Sequence, residues 1–157
     1  MTQDAETGAD PDLLGMPMPP CARLLGWRLI EQNPEAGRIR VGFEGKPEFC
    51  NPAGLIQGGL LAAMLDDTMG PALVVASRGR LYCTTIDMNV SYLAPVRPGP
   101  LEGRARVVEA GRTIAFLEGE LVDADGRVLV RATSSARVLE AARALGGGAP
   151  AAQPGPE

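Results

Sequence analysis

The sequence predicts an α+β fold in which an antiparallel six-stranded sheet wraps around one long central helix. A nearly uninterrupted apolar run covers residues 60–76, and segments in which apolar and polar residues alternate lie on both sides of it. The order is two strands, one helix and four strands, which suits antiparallel meanders packed on a single helix. With 157 residues, the chain is long enough for one domain of ordinary size.

The first two strands are predicted to form a hairpin. Residues 24–31 and 38–43 flank a turn-like segment at 33–37, and apolar side chains alternate with polar or small ones in the second strand. Residues 44–57 are rich in Gly, Pro and Asn, so they are expected to form a loop that leads into the helix.

The central helix is predicted over residues 58–76. It is apolar on nearly every side, as expected for a helix enclosed by a sheet. Pro71 lacks the N–H group for one intrahelical bond and is expected to bend or end the helix. Asp66 and Asp67 argue against a membrane span, because a carboxylate at the bilayer centre costs roughly 2.5–3.5 kcal/mol. We therefore expect a buried core helix and no membrane partner.

Four strands are predicted after the helix, at about 82–92, 101–109, 112–123 and 127–138. In the first of them, uninterrupted alternation places Tyr82 and Tyr92 on one face and Thr85 on the other. Asp125-Gly126 is a strong hairpin signal between the last two strands.

The two ends of the chain are predicted to be disordered tails around one domain at residues 21–140. Residues 1–20 combine acidic residues with prolines, and residues 141–157 are dominated by Gly, Ala and Pro.

The composition excludes several function classes. Histidine is absent, so a Ser-His-Asp triad, a Cys-His pair or a His-ligated metal cannot be built. Three cysteines without C-x-x-C spacing indicate neither a disulfide framework nor a zinc site, and reduced thiols fit a cytoplasmic protein. The net charge of −4 and the few aromatic residues argue against nucleic-acid binding. We expect no metal and no nucleic-acid partner.

The start of the helix is a candidate site. Gly58 and Gly59 contribute its first free N–H groups, and the positive end of the helix dipole favours an oxygen that carries negative charge. One such donor on a developing oxyanion is worth about 10²–10³ in rate. Alternatively, the same glycines permit tight loop entry and close packing against a strand.

Asp66 and Asp67 form a second candidate. They lie about 100° apart on the helical wheel, so they cannot both point the same way. An inward carboxylate is desolvated, which raises its pKa toward values useful for a general base. Alternatively, one carboxylate lies at a solvated rim and the other meets an arginine. Periodicity does not decide which aspartate faces inward.

The order of these residues resembles the PaaI-like acyl-CoA thioesterases of the hotdog-fold superfamily, over residues 24–138. The family pattern is an Asn, five residues, His-Gly-Gly, and a catalytic Asp seven positions further on. In this sequence it falls on Asn51, on Gly58-Gly59 and on Asp66. The segment 85–92 and the later hairpin turn follow in the family's order.

The resemblance implies the hotdog fold and hydrolysis of an acyl- or aryl-CoA thioester to free acid and coenzyme A. Asp66 would act as base or nucleophile, the Gly58 N–H would polarise the carbonyl, and Asn51 would position the thioester or the attacking water. No cofactor is needed, because coenzyme A is part of the substrate. The resemblance also implies a homodimer, often a dimer of dimers, with Asp66 of one chain beside Gly58 of the other.

Further residues are placed by the same resemblance. Thr85 falls where the family has a hydroxyl that can hold the attacking water, although it can equally be a plain strand residue. Gln57 replaces the usual histidine and cannot carry a proton at neutral pH, so we expect it to position the substrate together with Gly59. Arg97 and Arg112 are candidates for the phosphates of coenzyme A, with solvated strand-end arginines as the alternative.

Two other functions are weighed against hydrolysis. A non-catalytic protein that binds acyl-CoA or another small ligand is suggested by Gln57, which takes the place of a histidine. A hotdog hydratase is disfavoured, because that chemistry typically pairs an aspartate with a histidine. Binding of acyl-CoA without release of free thiol would support the first of these.

Overall fold

A computed structural model describes residue 13 and residues 16–146. A 3-10 turn at Pro47–Phe49 lies in the loop before the long helix. The other elements, in chain order, are α1 (Pro20–Leu25), β1 (Arg28–Asn33), β2 (Arg38–Gly45), α2 (Gly58–Ala76), β3 (Leu81–Tyr92), β4 (Gly99–Ala110), β5 (Ile114–Val122), β6 (Val128–Glu140) and α3 (Ala141–Gly146).

The six strands form one sheet in the order β1-β2-β4-β5-β6-β3. Every neighbouring pair is antiparallel. The helix α2 packs on one face of this sheet, against β2, β3, β4 and β5. The predicted α+β fold, an antiparallel six-stranded sheet around one central helix, is confirmed. β1 and β3 are the edges, and β3 (12 residues) pairs with β6 alone, through every residue except Ile86.

The core lies between α2 and the sheet. By length and composition alone α2 is able to span a membrane, but half of its most apolar window is buried inside the fold. It therefore behaves as a core helix. The largest fully buried side chains come from both layers and include Met64, Leu65 and Leu73 of α2 and Ile39, Phe43 and Leu121 of the sheet.

A glycine of β4 allows the helix to approach the sheet closely. A Cβ atom at Gly103 would lie 2.4 Å from Oγ1 of Thr68 and 2.9 Å from a ring carbon of Phe43. The Thr68 hydroxyl is fully buried and donates to the carbonyl of Met64 at 2.7 Å. Any side chain at position 103 would therefore separate α2 from β4.

Pro71 does not end the helix, contrary to one of the two outcomes expected from the sequence. Proline has no N–H to donate to the carbonyl of Asp67, four residues earlier. The indole N–H of Trp27 donates to that oxygen instead, at 2.9 Å. Because this partly buried carbonyl remains paired, α2 continues to Ala76.

The alternation predicted for β3 is wrong in its first half. The register with β6 shifts between Thr85 and Asp87, which makes Ile86 the extra residue of a β-bulge. Before the bulge, Cys83 and Thr85 face α2; after it, Tyr92 does. Thr85 and Tyr92 therefore share one face of the sheet, although they are seven residues apart.

Two boundaries differ from the prediction by more than two residues. The first strand begins at Arg28, because residues 20–25 form α1. The tail predicted from residue 141 begins with α3, where Ala141 is buried and its N–H donates to the carbonyl of Arg80 at 2.9 Å. The other residues of the predicted tails, 1–12, 14–15 and 147–157, lie outside the described residues.

Candidate active site

Asp66 and Thr85 form a hydrogen-bonded pair between the central helix and the edge strand. The Thr85 hydroxyl donates to Oδ1 of Asp66 at 2.6 Å. Asp66 lies in the third turn of α2 on its exposed side, and the bulge at Ile86 turns Thr85 toward it. The hydrogen bond fixes the carboxylate while both side chains stay accessible in the single chain. A carboxylate held in this way can accept a proton from water or attack a carbonyl carbon.

Asp67 is the buried member of the aspartate pair. Its Oδ2 atom is buried and has no hydrogen-bond partner among the described residues. Burial, and to a smaller degree the charge of Asp66, raises the pKa of Asp67 to about 6. The desolvated acid expected from physical reasoning is therefore Asp67, whereas the family's spacing selects the exposed Asp66. The two criteria point to different residues.

Replacing Asp67 with asparagine is expected to remove a pH dependence of stability. The pKa of Asp67 is about 6 in the folded chain and 3.8 ordinarily, so the folded state binds the proton more tightly. Tighter proton binding stabilises the folded state. The stabilisation is fully present below about pH 4 and is lost as the pH rises through about 6, a decrease of at most about 3 kcal/mol in the free energy of unfolding. Urea unfolding of both proteins at about pH 4.5 and about pH 8 measures it. An equal pH dependence in wild type and Asp67→Asn would contradict this explanation.

The start of α2 offers free amide groups, as predicted. Gln57 is the N-cap residue, and its carbonyl accepts the N–H groups of Leu60 and Leu61. The N–H groups of Gly58 and Gly59 donate to no protein acceptor within the described part of the chain. A Cβ atom at Gly59 would have no neighbour within 4 Å, so a ligand can reach this turn. Such amides at the positive end of a helix suit a carbonyl oxygen.

Gly58 has a packing role as well. The hydroxyl of Tyr92 donates to the Gly58 carbonyl at 2.8 Å. A Cβ atom at Gly58 would lie 3.1 Å from the Cζ atom and 3.2 Å from the hydroxyl oxygen of Tyr92. Close packing against a strand, the alternative considered for the glycine pair, is therefore present at Gly58 and absent at Gly59.

Asn51 organises the loop before the helix. Its side-chain oxygen accepts the N–H groups of Ala53 at 2.9 Å and Leu55 at 3.2 Å. This leaves its side-chain NH₂ group as the part that can reach a substrate. Gln57 is exposed, and its side chain makes no capping bond.

The two candidate arginines lie at opposite ends of the sheet. Arg97 is exposed in the loop between β3 and β4, next to Val96, whose carbonyl accepts the N–H of Ile56 just before the helix start. Arg112 is exposed in the turn between β4 and β5, near the end of the sheet where β3 begins. Only Arg97 lies near the glycine pair of its own chain.

Sequence reasoning does not include Tyr92 among the site residues. Uninterrupted alternation puts Tyr92 and Thr85 on opposite faces, and the bulge at Ile86 carries no glycine or proline signal. The sequence offers an indirect signal for Tyr92. Thr85 must face the helix if it is to contact Asp66, and Tyr92 belongs to the same motif segment, residues 85–92.

Comparisons with known proteins identify the family to which the chain belongs. Residues 53–130 match the model of the thioesterase superfamily. A phenylacetic acid degradation-related protein from Ralstonia eutropha JMP134 is 35% identical, with 80% of this chain and 95% of that chain covered and a TM-score of 0.74. Human acyl-coenzyme A thioesterase 13 is 29% identical over 97 residues, which are 60% of this chain and 69% of the human one.

A more distant structure shares the fold. The PaaI protein from the phenylacetic acid degradation operon of E. coli is 19% identical, with 76% of this chain and 83% of that chain covered and a TM-score of 0.66. The match to the family model and the two closer relatives show that the chain belongs to the thioesterase superfamily as a PaaI-like thioester hydrolase with the hotdog fold.

Proposed function

We propose that this protein hydrolyses acyl-CoA thioesters to the free acid and coenzyme A, with Asp66 as base or nucleophile. The observation that carries the proposal is the 2.6 Å hydrogen bond from Thr85 to Asp66, which fixes a carboxylate on the accessible side of α2. The name of the human relative, acyl-coenzyme A thioesterase 13, supports acyl-CoA as the substrate class.

The chemistry balances in either role of the carboxylate. As a base, Asp66 takes a proton from water while the water oxygen bonds to the thioester carbon, and the carbonyl oxygen becomes an oxyanion. When the C–S bond breaks, the thiolate of coenzyme A takes that proton. As a nucleophile, Asp66 bonds to the carbon and expels the thiolate. Water then hydrolyses the mixed anhydride: its hydroxyl stays on the acyl carbon, the thiolate takes its proton, and the Asp66 carboxylate is regenerated.

A second copy of the chain is part of the proposal. Gly58 and Asp66 are eight residues apart on α2, which separates them by about 12 Å along the helix axis. Within one chain they are therefore too far apart to act on the same carbonyl. Thr85 belongs to the edge strand β3, so the Thr85–Asp66 pair lies beside a surface that another chain is able to cover. In a homodimer, Gly58 of one protomer would hold the carbonyl that Asp66 of its partner attacks.

The test is release of free thiol by the full-length protein from short-chain, medium-chain and phenylacetyl-CoA thioesters. We expect hydrolysis of at least one of these classes by the wild type and no release above background by Asp66→Ala. Tight binding of every acyl-CoA without thiol release would contradict the proposal and favour a binding protein.

A further inference from the structure

We propose that Tyr92 is a positioning residue, which holds the first residue of α2 and orients the free amide of Gly59 toward the substrate carbonyl. The inference rests on the proposed function, because it concerns the same site. Tyr92 is the last residue of β3, and the bulge at Ile86 puts its ring on the face of the sheet that meets α2. Its hydroxyl donates to the Gly58 carbonyl at 2.8 Å, which ties the end of the strand to the first residue of the helix.

Such a tether restricts the backbone at the helix start. Two successive glycines have the widest range of backbone angles, and the first amides of a helix have no intrahelical acceptor to hold them. The carbonyl of Gly58 and the N–H of Gly59 belong to one planar peptide group. A hydrogen bond to this carbonyl therefore fixes the direction of the Gly59 N–H. It also draws electron density toward the oxygen and makes that N–H a stronger donor.

The space around the two glycines fits a packing role for Gly58 and a ligand-binding role for Gly59. At Gly58 a Cβ atom would meet the Tyr92 ring at 3.1–3.3 Å, so the absent side chain makes room for the tyrosine. At Gly59 nothing lies within 4 Å, so its amide stays open to a ligand. Tyr92 is 52% exposed, so the burial of its ring contributes little to the core. Its most specific contact is the hydrogen bond to Gly58.

The matched test compares Tyr92→Phe with Tyr82→Phe. Both variants lose one hydroxyl from β3, but Tyr82 lies on the opposite face and its hydroxyl makes no hydrogen bond to the described residues. For Tyr92→Phe we expect kcat for thioester hydrolysis to fall about tenfold while KM changes less than about threefold, because the bond acts on the oxyanion donors. Tyr82→Phe should stay within about twofold of wild type in both constants. Equal kcat values for the two variants overturn the inference.

A spectroscopic measurement separates positioning from a merely structural role. In an Asp66→Asn background, acyl-CoA with a ¹³C-labelled carbonyl remains bound and intact, and the amides should lower its carbonyl stretching frequency. We expect a smaller downshift when Tyr92→Phe is added and the full downshift when Tyr82→Phe is added. The same downshift in all three proteins overturns the inference.

The two proposals fail in different ways. If the wild type releases no thiol from any acyl-CoA, the proposed function is wrong. If the wild type is active and Tyr92→Phe matches Tyr82→Phe, only the role of Tyr92 is wrong. Because Tyr92→Phe keeps the half-exposed ring, its melting temperature should stay within about 3 °C of wild type.

Discussion

Replacing Asp66 with asparagine is expected to lower acyl-CoA hydrolysis at least about a hundredfold without unfolding the protein. The amide oxygen can still accept the hydrogen bond from Thr85, so the local geometry is kept. An amide neither takes a proton from water nor attacks a carbonyl, and a positioned base contributes about 10²–10⁴ in rate. Thiol release measures kcat, and circular dichroism checks the fold.

Asp67→Asn is the matched control for this prediction. It is the same change one residue further along α2, at a side chain whose burial raises its pKa to about 6. We expect a much smaller loss of activity, because the hydroxyl of Thr85 donates to Asp66 and the Oδ2 atom of Asp67 is buried. An inactive Asp67→Asn together with an active Asp66→Asn would reverse the assignment and make the buried aspartate the base.

Replacing Gly58 with valine is expected to lower kcat about 10²–10³-fold, the range seen when one oxyanion donor is lost. The new Cβ atom would be 3.1 Å from the ring of Tyr92, so the ring must move, and the branched side chain would cover the first free amides. Steady-state kinetics on acyl-CoA measure the loss, and the melting temperature shows whether α2 still forms. A folded Gly58→Val with activity within about tenfold of wild type would exclude the helix start as the carbonyl site.

The architecture could be predicted because it depends on pattern. The apolar run at 60–76 is long enough for a helix and apolar on nearly every side, so it has to lie in a core. The Asp125-Gly126 turn and the alternating strands before and after it require only local sequence. These features do not depend on contacts between distant residues.

Contacts across the fold explain what could not be predicted. Pro71 is tolerated inside α2 because Trp27, 40 residues away from Asp67, donates to the carbonyl that the proline cannot reach. No pattern around Pro71 reveals such a donor. The choice between the two aspartates is similar: both are flanked by apolar residues, and only packing decides that Asp67 is the buried one.

The bulge in β3 has the largest consequence for the site. Without the extra residue Ile86, Thr85 and Tyr92 would lie on opposite faces of the sheet, and one of them would miss the helix. With it, Thr85 contacts Asp66 and Tyr92 contacts Gly58. Bulges often re-aim side chains at functional sites. The extra residue Ile86 therefore lets the edge strand contact both the carboxylate of Asp66 and the start of α2.

Active-site complementation in mixed dimers tests the shared site most directly. Asp66→Asn and Gly58→Val are each expected to be nearly inactive, and the two proteins are unfolded together and refolded in equal amounts. Half of the dimers are then mixed, and each mixed dimer has one site with both defects and one with neither. The shared site therefore predicts recovery of about one quarter of wild-type thiol release. If the refolded mixture is no more active than its two parents, Asp66 and Gly58 of different chains do not form one active site.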